Sequence, residues 1–181
     1  MALQEDSDLV QFKATVLVHL DAAYNLARWL TRDEFSAEDA VQDACLRAFR
    51  AFHSQRGPNV KAWFMAVVRN ASLDWIKQNK WRSKTEEYDE EIHSAADLTR
   101  SSATPEADAI QHSESLWLRN CIANLPQEYR EVIVLRELED MSYKEISVIV
   151  EVPIGTVMSR LARGRDLLQQ QMTASQKRSS S

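Results

Sequence analysis

The sequence predicts an all-α protein built as two small helical domains joined by a flexible acidic linker, the second a four-helix domain containing a helix-turn-helix. Three observations carry that expectation. Glycine and proline number only 3 and 4 in 181 residues, too few for the tight turns of an all-β chain. Apolar residues recur at three- and four-residue spacing, the period of helices with one buried face. The net charge of −5 is concentrated in one place: residues 1–84 carry 12 basic and 10 acidic side chains and residues 113–181 carry 9 of each, whereas residues 85–112 carry 1 basic and 8 acidic. A stretch so acidic and so poor in large apolar residues cannot bury enough surface to offset its chain entropy and reads as a linker. The expected organisation is a domain over 1–84, a linker over 85–112, a second domain over 113–173 and a frayed polar tail over 174–181.

Composition also excludes classes. Hydrophobic residues make up 44% of the chain, enough for a packed core, yet no apolar run is long enough to span a membrane. The start, MALQEDSDLV, has no signal-peptide character, so a cytoplasmic location is expected. Cys45 and Cys121 lie far apart on apolar stripes and read as reduced, inert thiols. There is no Gly-rich phosphate loop, metal-spaced His/Cys cluster or nucleophile motif. The expectation is a protein with no catalytic activity, cofactor or metal.

Residues 8–33 read as one long amphipathic helix with Phe12, Val16, Leu20, Ala23, Ala27 and Leu30 inward and His19 and Leu26 beside them. His19 has no second ligand type one turn away on that face, so it reads as a packed histidine. After a break at 32–35, Ser36 and Asp39 are expected to cap a helix reaching about His53. Its inward stripe is Val41, Ala44, Cys45, Ala48 and Phe52. Asp39, Gln42, Asp43, Leu46 and Arg50 fall on the opposite face, which taken alone is a solvated surface with one apolar residue; a protein-docking patch is the alternative.

Residues 53–59, HSQRGPN, form a loop. The following helix, 60–81, directs Val60, Phe64, Val67, Val68, Ala71 and Trp75 inward. Trp63, Asn70 and Lys77 line up beside that stripe at seven-residue intervals, and Arg69, Lys80, Arg82 and Lys84 add positive charge. Rings interleaved with amide and cationic side chains suit single-stranded nucleic acid, where bases stack and cations hold the backbone. Tryptophans serving as core or interface fillers are an equal alternative. Beyond the linker, where His93 and His112 stand isolated, a helix over about 107–124 is expected to turn Leu118, Cys121, Ile122 and Leu125 inward with Trp117 nearby. Pro126 suits the first turn of a helix reaching Leu138, with Tyr129, Val132, Ile133 and Leu135 apolar.

Residues 142–170 form the stretch with the most specific pattern. Ser142 and Glu145 have capping-box spacing, and Ile146, Ile149 and Val150 give one apolar face. Pro153 and Gly155 break the helix, and a second begins near Thr156. On it Val157, Leu161, Gly164 and Leu168 share a stripe, with Gly164 allowing close approach of a neighbouring helix. Thr156, Ser159, Arg160 and Arg163 cluster elsewhere, as short hydroxyls and guanidiniums suited to phosphates and base edges in a major groove. This pattern favours a helix-turn-helix over a plain αα-hairpin with a solvated Arg face.

Taken together, residues 8–172 resemble the extracytoplasmic-function (ECF) group of bacterial sigma factors, the small two-domain members of the sigma-seventy superfamily. Three segments carry the resemblance: SAEDAVQDACLRAFRAF, NVKAWFMAVVRNASLDWIKQNKWR, and LPQEYREVIVLRELEDMSYKEISVIVEVPIGTVMSRLARGRDLL. The resemblance implies a promoter-specificity subunit without chemistry of its own. Asp39, Gln42, Asp43 and Leu46 become the docking face for the clamp helices of the core RNA polymerase, with the flap region as a further contact. Trp63, Arg69, Asn70, Lys77 and Lys80 become contacts to the melted minus-ten element, and the loop 53–60 the segment that captures a flipped base. Thr156, Met158, Ser159, Arg160, Ala162 and Arg163 become the minus-thirty-five readers, and the acidic linker a strand threading the polymerase's RNA path. An anti-sigma factor is the implied regulator. This chain departs from the family pattern at Met158, where many members carry Arg, at Ala162, where they carry a large aromatic, and at Gly57-Pro58. A stand-alone helix-turn-helix regulator is the competing reading; it leaves the first domain unexplained.

Overall fold

The structure, a computed structural model, describes residues 2–55, 57–85 and 116–179. Among these residues the only regular secondary structure is helical, as expected. The acidic linker lies outside the described residues.

The first half begins with α1 (Ala2–Thr15), a 3-10 turn at Leu17–His19 and α2 (Leu20–Thr31). The single helix expected over 8–33 is therefore broken. Thr15, Val16 and Val18 are β-branched and restrict their own χ1 in a helix. The Thr15 hydroxyl donates back to the Gln11 carbonyl at 2.8 Å, a bond that bends helices. The inward stripe survives the break: Phe12, Val16, Ala23, Ala27 and Leu30 are buried, joined by Leu26, with Leu20 half-buried. His19 is half-buried, and burial, with Lys61 nearby, holds its pKa below the ordinary value.

Helix α3 (Glu34–Ala51) is capped by Asp33 rather than by Ser36 or Asp39. The Asp33 carboxylate accepts the Ser36 amide at 2.8 Å and the Ser36 hydroxyl as well. Ser36 consequently sits buried inside the first turn, and Asp39 lies exposed a turn further on. Helix α4 (Val60–Thr85) starts where expected, with Asn59 Oδ1 accepting the Ala62 amide at 2.9 Å. Phe64, Met65 and Val68 of α4 are fully buried against α2 and α3. Phe12 closes the end of this three-helix core, its ring edge-on to Phe49 and Phe52 at 5.2 and 5.4 Å.

The second half opens with α5, described over 116–123. Cys121, Ile122 and Leu125 are buried as expected, but Leu118 points outward; burial begins only one turn later. Pro126 precedes α6 (Gln127–Ile133) as its cap in an extended conformation, instead of entering the first turn, and a π-helical turn, Val134–Leu138, completes the expected run to Leu138. Arg130 is buried at this corner. Its Nη1 donates to the carbonyls of Ala123 and Leu125 at 2.9 and 3.1 Å, and burial, with Arg32 nearby, pushes its pKa down to about 10.

The helix-turn-helix is α7 (Tyr143–Val150) and α8 (Ile154–Ser179). Ser142 and Glu145 form the expected capping box: the Ser142 amide donates to Glu145 at 2.6 Å, and the Glu145 amide to Ser142 Oγ at 3.3 Å. The turn differs from expectation. Its left-handed residue is Glu151, at φ 57°, and Gly155 lies in the first turn of α8 with an ordinary φ. The Pro153 carbonyl accepts the amides of Thr156 and Val157 at 2.9 and 3.1 Å, so α8 starts at Ile154, earlier than the Thr156 expected. α8 also runs on to Ser179, through most of the tail expected to fray. Gly164 does allow close approach: a Cβ there would lie 3.0 Å from Ile133 Cγ1 on α6. The halves pack together, α4 on α7 and α2 on α6.

Candidate nucleic-acid and protein-docking interface

The face of α8 expected to read DNA is open to solvent. Met158, Ser159, Ala162 and Arg163 are exposed and Thr156 half-buried, with the Ser159 hydroxyl donating to the Thr156 carbonyl at 3.0 Å. The opposite stripe is buried, Val157 and Leu161 completely and Gly164 against α6, while Leu168 is half-buried. Arg160 departs from this division. Its Nη1 lies 3.4 Å from Glu131 Oε1 on α6, leaving the side chain only partly exposed.

Glu131 is the centre of this region. Its carboxylate is 2% exposed and takes a two-pronged contact from Arg69 on α4, Nε to Oε2 at 2.8 Å and Nη2 to Oε1 at 3.1 Å. A buried carboxylate is tolerable only when its lone pairs are taken, and two guanidiniums take them here. The structure thus brings together Arg69 from the expected minus-ten set and Arg160 from the minus-thirty-five set, through a glutamate that sequence reasoning did not single out. Asn70 Nδ2 approaches Glu151 Oε1 at 3.5 Å. Lys77 and Lys80 are exposed farther along α4.

Trp63 is half-buried and packs against the core. It also lines a groove of about 740 Å³ between residues 54, 55 and 57–59 and α7, with Pro58, Asn59, Glu145 and Val148 among its walls. Across it Asn59 Nδ2 donates to Glu145 Oε1 at 2.5 Å. The hydrogen bonds from Asn59 and from Ser142 hold the Glu145 pKa below its ordinary value, those of Ser142 being the larger cause.

On the outer side of the first half, Asp39, Gln42 and Leu46 are exposed and Asp43 is half-buried. Leu46 is 57% exposed, and Phe49, one turn on, adds a second exposed apolar side chain. Phe49 was not singled out in the sequence because it lies between the inward stripe and the polar face. Arg47 fixes this patch, donating to Asp74 at 2.8 Å and pairing with Asp43 at 2.6 Å. Burial pushes the thiol pKa of Cys45 and of Cys121 upward, which suppresses thiolate reactivity. No helix among the described residues is long and apolar enough to cross a membrane.

Comparison with known proteins bears on this arrangement directly. The family described as Sigma-70 region 2 matches residues 15–82, and Sigma-70 region 4 matches residues 115–168. The ECF RNA polymerase sigma factor SigE of Mycolicibacterium smegmatis is 30% identical over 83% of this chain, which spans only 57% of that protein's length. SigW of Bacillus subtilis is 30% identical, with 89% of this chain and 88% of SigW aligned. Among solved structures, the sigma factor RpoE bound to the anti-sigma factor NepR, from Bartonella quintana, superposes with a TM-score of 0.71 at 26% identity, covering 90% of this chain and 97% of RpoE. CnrH, solved with the cytosolic domain of CnrY, shares the fold with a TM-score of 0.65 at 21% identity, covering 96% and 94% of the two chains. With both sigma regions matched in order and SigW aligned over nearly its whole length, this chain belongs to the ECF sigma factors of RNA polymerase.

Proposed function

We propose that this sigma factor acts as a cytoplasmic promoter-specificity subunit organised as residues 1–84, 85–112 and 113–173, and that it has no catalytic step of its own. Asp39, Gln42, Asp43 and Leu46, with Phe49, dock on core polymerase. Trp63, Arg69, Asn70, Lys77 and Lys80 hold the melted minus-ten strand, and the exposed face of α8, Thr156 to Arg163, reads the minus-thirty-five element. The observation that carries this reading is the separation of surfaces within one chain: an apolar patch rimmed by carboxylates on α3, and polar or cationic faces on α4 and α8. Such a division suits a protein that grips a polymerase and a promoter at once. Phosphate contacts dominate affinity for DNA, and a chain of net charge −5 binds DNA weakly by itself, so the polymerase must supply the rest. RpoE is seen with an anti-sigma factor; by likeness, an inhibitor protein of that kind controls this chain too.

The test is anisotropy of a labelled host promoter fragment titrated with the protein alone, with core polymerase alone and with both. Retention only by the mixture is expected. Tight, salt-resistant binding by the protein alone would establish a stand-alone helix-turn-helix regulator in its place.

A further inference from the structure

Ile154, Met158 and Ala162 of α8 recur at four-residue spacing, so their side chains form one ridge along the helix. All three are exposed, Ile154 to 44% and Met158 to 53%. Beside them Gly155 faces open space: a Cβ there would meet nothing within 4 Å. The polar groups near the ridge are largely occupied. Arg160 Nη1 lies 3.4 Å from Glu131 Oε1. Arg165 donates Nε and Nη2 to Glu137 Oε1 at 3.2 and 2.7 Å. The Ser159 hydroxyl donates to the Thr156 carbonyl at 3.0 Å.

We infer that this ridge reads the methyl groups of thymine, so that this chain selects its minus-thirty-five element by apolar contact rather than by arginine on guanine. The inference rests on the function proposed above, which puts α8 in the major groove. Thymine carries a methyl group on its major-groove edge, whereas guanine, adenine and cytosine present only hydrogen-bond donors and acceptors there. A thioether chain or a methyl set against guanine N7 and O6, or against the cytosine amine, displaces water without replacing its hydrogen bonds, which costs free energy. Set against the thymine methyl, the same groups bury apolar surface, which is favourable. The two-pronged arginine that reads guanine is absent from the ridge, and Arg160 and Arg165 are held by carboxylates.

The dimensions of the ridge suit a short run of bases. From Ile154 to Ala162 the helix rises about 12 Å, the length of three to four base pairs stacked at about 3.4 Å. The small Gly155 and Ala162 let the helix backbone come close to base edges. Met158 lies between them, and an unbranched thioether chain adapts its end to wherever a methyl group stands. Arg163, exposed on the same side of α8, is left to hold a phosphate, a contact that fixes register but carries no sequence information. Charge and readout are thus divided: one cation positions the helix and three apolar side chains choose the bases.

The experiment uses holoenzyme formed from core polymerase and the full chain, with a host promoter fragment that the mixture retains. The protected region upstream of the minus-ten element is mapped, and each thymidine in it is replaced singly by deoxyuridine, which keeps base pairing and removes only the methyl group. Deoxyuridine at one or more of these positions is expected to lower holoenzyme affinity by about fourfold, as loss of one buried methyl group requires. Met158→Gln, similar in length but polar, is expected to remove that sensitivity, and the apolar Met158→Leu to keep it, with melting curves and core-polymerase affinity recorded for both. A protected region without thymidine, or with no deoxyuridine effect at any position, overturns the inference. So does a deoxyuridine effect undiminished in Met158→Gln, or a loss of core-polymerase binding in that variant, which would make the ridge a protein contact. A fragment retained without any methyl effect counts against this inference alone, whereas failure of the mixture to retain any host fragment removes the function proposed above as well.

Discussion

Asp33 sets the start of α3, and its chemistry makes that role measurable. Two hydrogen bonds from Ser36 hold the carboxyl pKa below the ordinary 3.8. A folded-state pKa lowered in this way means that the cap's contribution is complete above the ordinary value and is lost as pH falls through the depressed one. Asp33→Ala is therefore expected to lower stability by about 1 kcal/mol near neutrality, with the difference from the parent shrinking in melts recorded below the ordinary aspartate pKa. Equal differences at neutral and strongly acidic pH would contradict the assignment. Ser36 and Asp39 were the caps expected from the sequence; side-chain direction, which local pattern does not encode, selects Asp33 instead. The Ser142–Glu145 box was legible because two residues satisfy each other at a fixed spacing. The left-handed Glu151 was not, since Gly155 nearby is the ordinary occupant of such a conformation.

At the scale of elements, periodicity located α3, α4, α7 and the buried stripe of α8, because each buries one face against the same core throughout. It failed at Val16, where the stripe continues across a break in the backbone, and at Leu118, where the period continues after the packing partner has ended. Close contact between α6 and α8 is testable at Gly164. Gly164→Val relieves some backbone entropy but pushes a branched side chain into Ile133, already 3.0 Å from where a Cβ would lie. Overpacking of that kind is expected to cost about 1–3 kcal/mol in denaturant unfolding; a neutral or stabilising result would contradict the contact. On the open face of the same helix, Met158→Arg is expected to change minus-thirty-five preference while leaving core-polymerase affinity within about twofold, because Met158 is exposed and arginine reads guanine edges. Equal effects on both would refute its place among the DNA readers. Leu46→Asp on α3 should do the reverse, weakening polymerase binding by roughly tenfold or more, as loss of an interface anchor does, without lowering the melting temperature.

For the whole molecule, the order of the two sigma regions was readable from the order of the motifs. The contacts joining those halves were not. Arg69 and Glu131 are 62 residues apart, and Asn25 and Glu139 are 114 apart; nothing in the local pattern of either partner announces the other. That is why Arg69, Asn70 and Arg160 read from sequence as free DNA contacts and stand in the structure as members of an internal network. At this scale the expected outcome is a chain that directs transcription only together with core polymerase. The most direct measurement is in vitro transcription with purified core polymerase and fragments carrying upstream regions of the host's genes. Discrete transcripts that appear only when this protein is added, and that disappear with Leu46→Asp, are the expected result. No promoter-specific transcript from any host fragment, with the protein folded and core polymerase active with another sigma factor, would contradict the account.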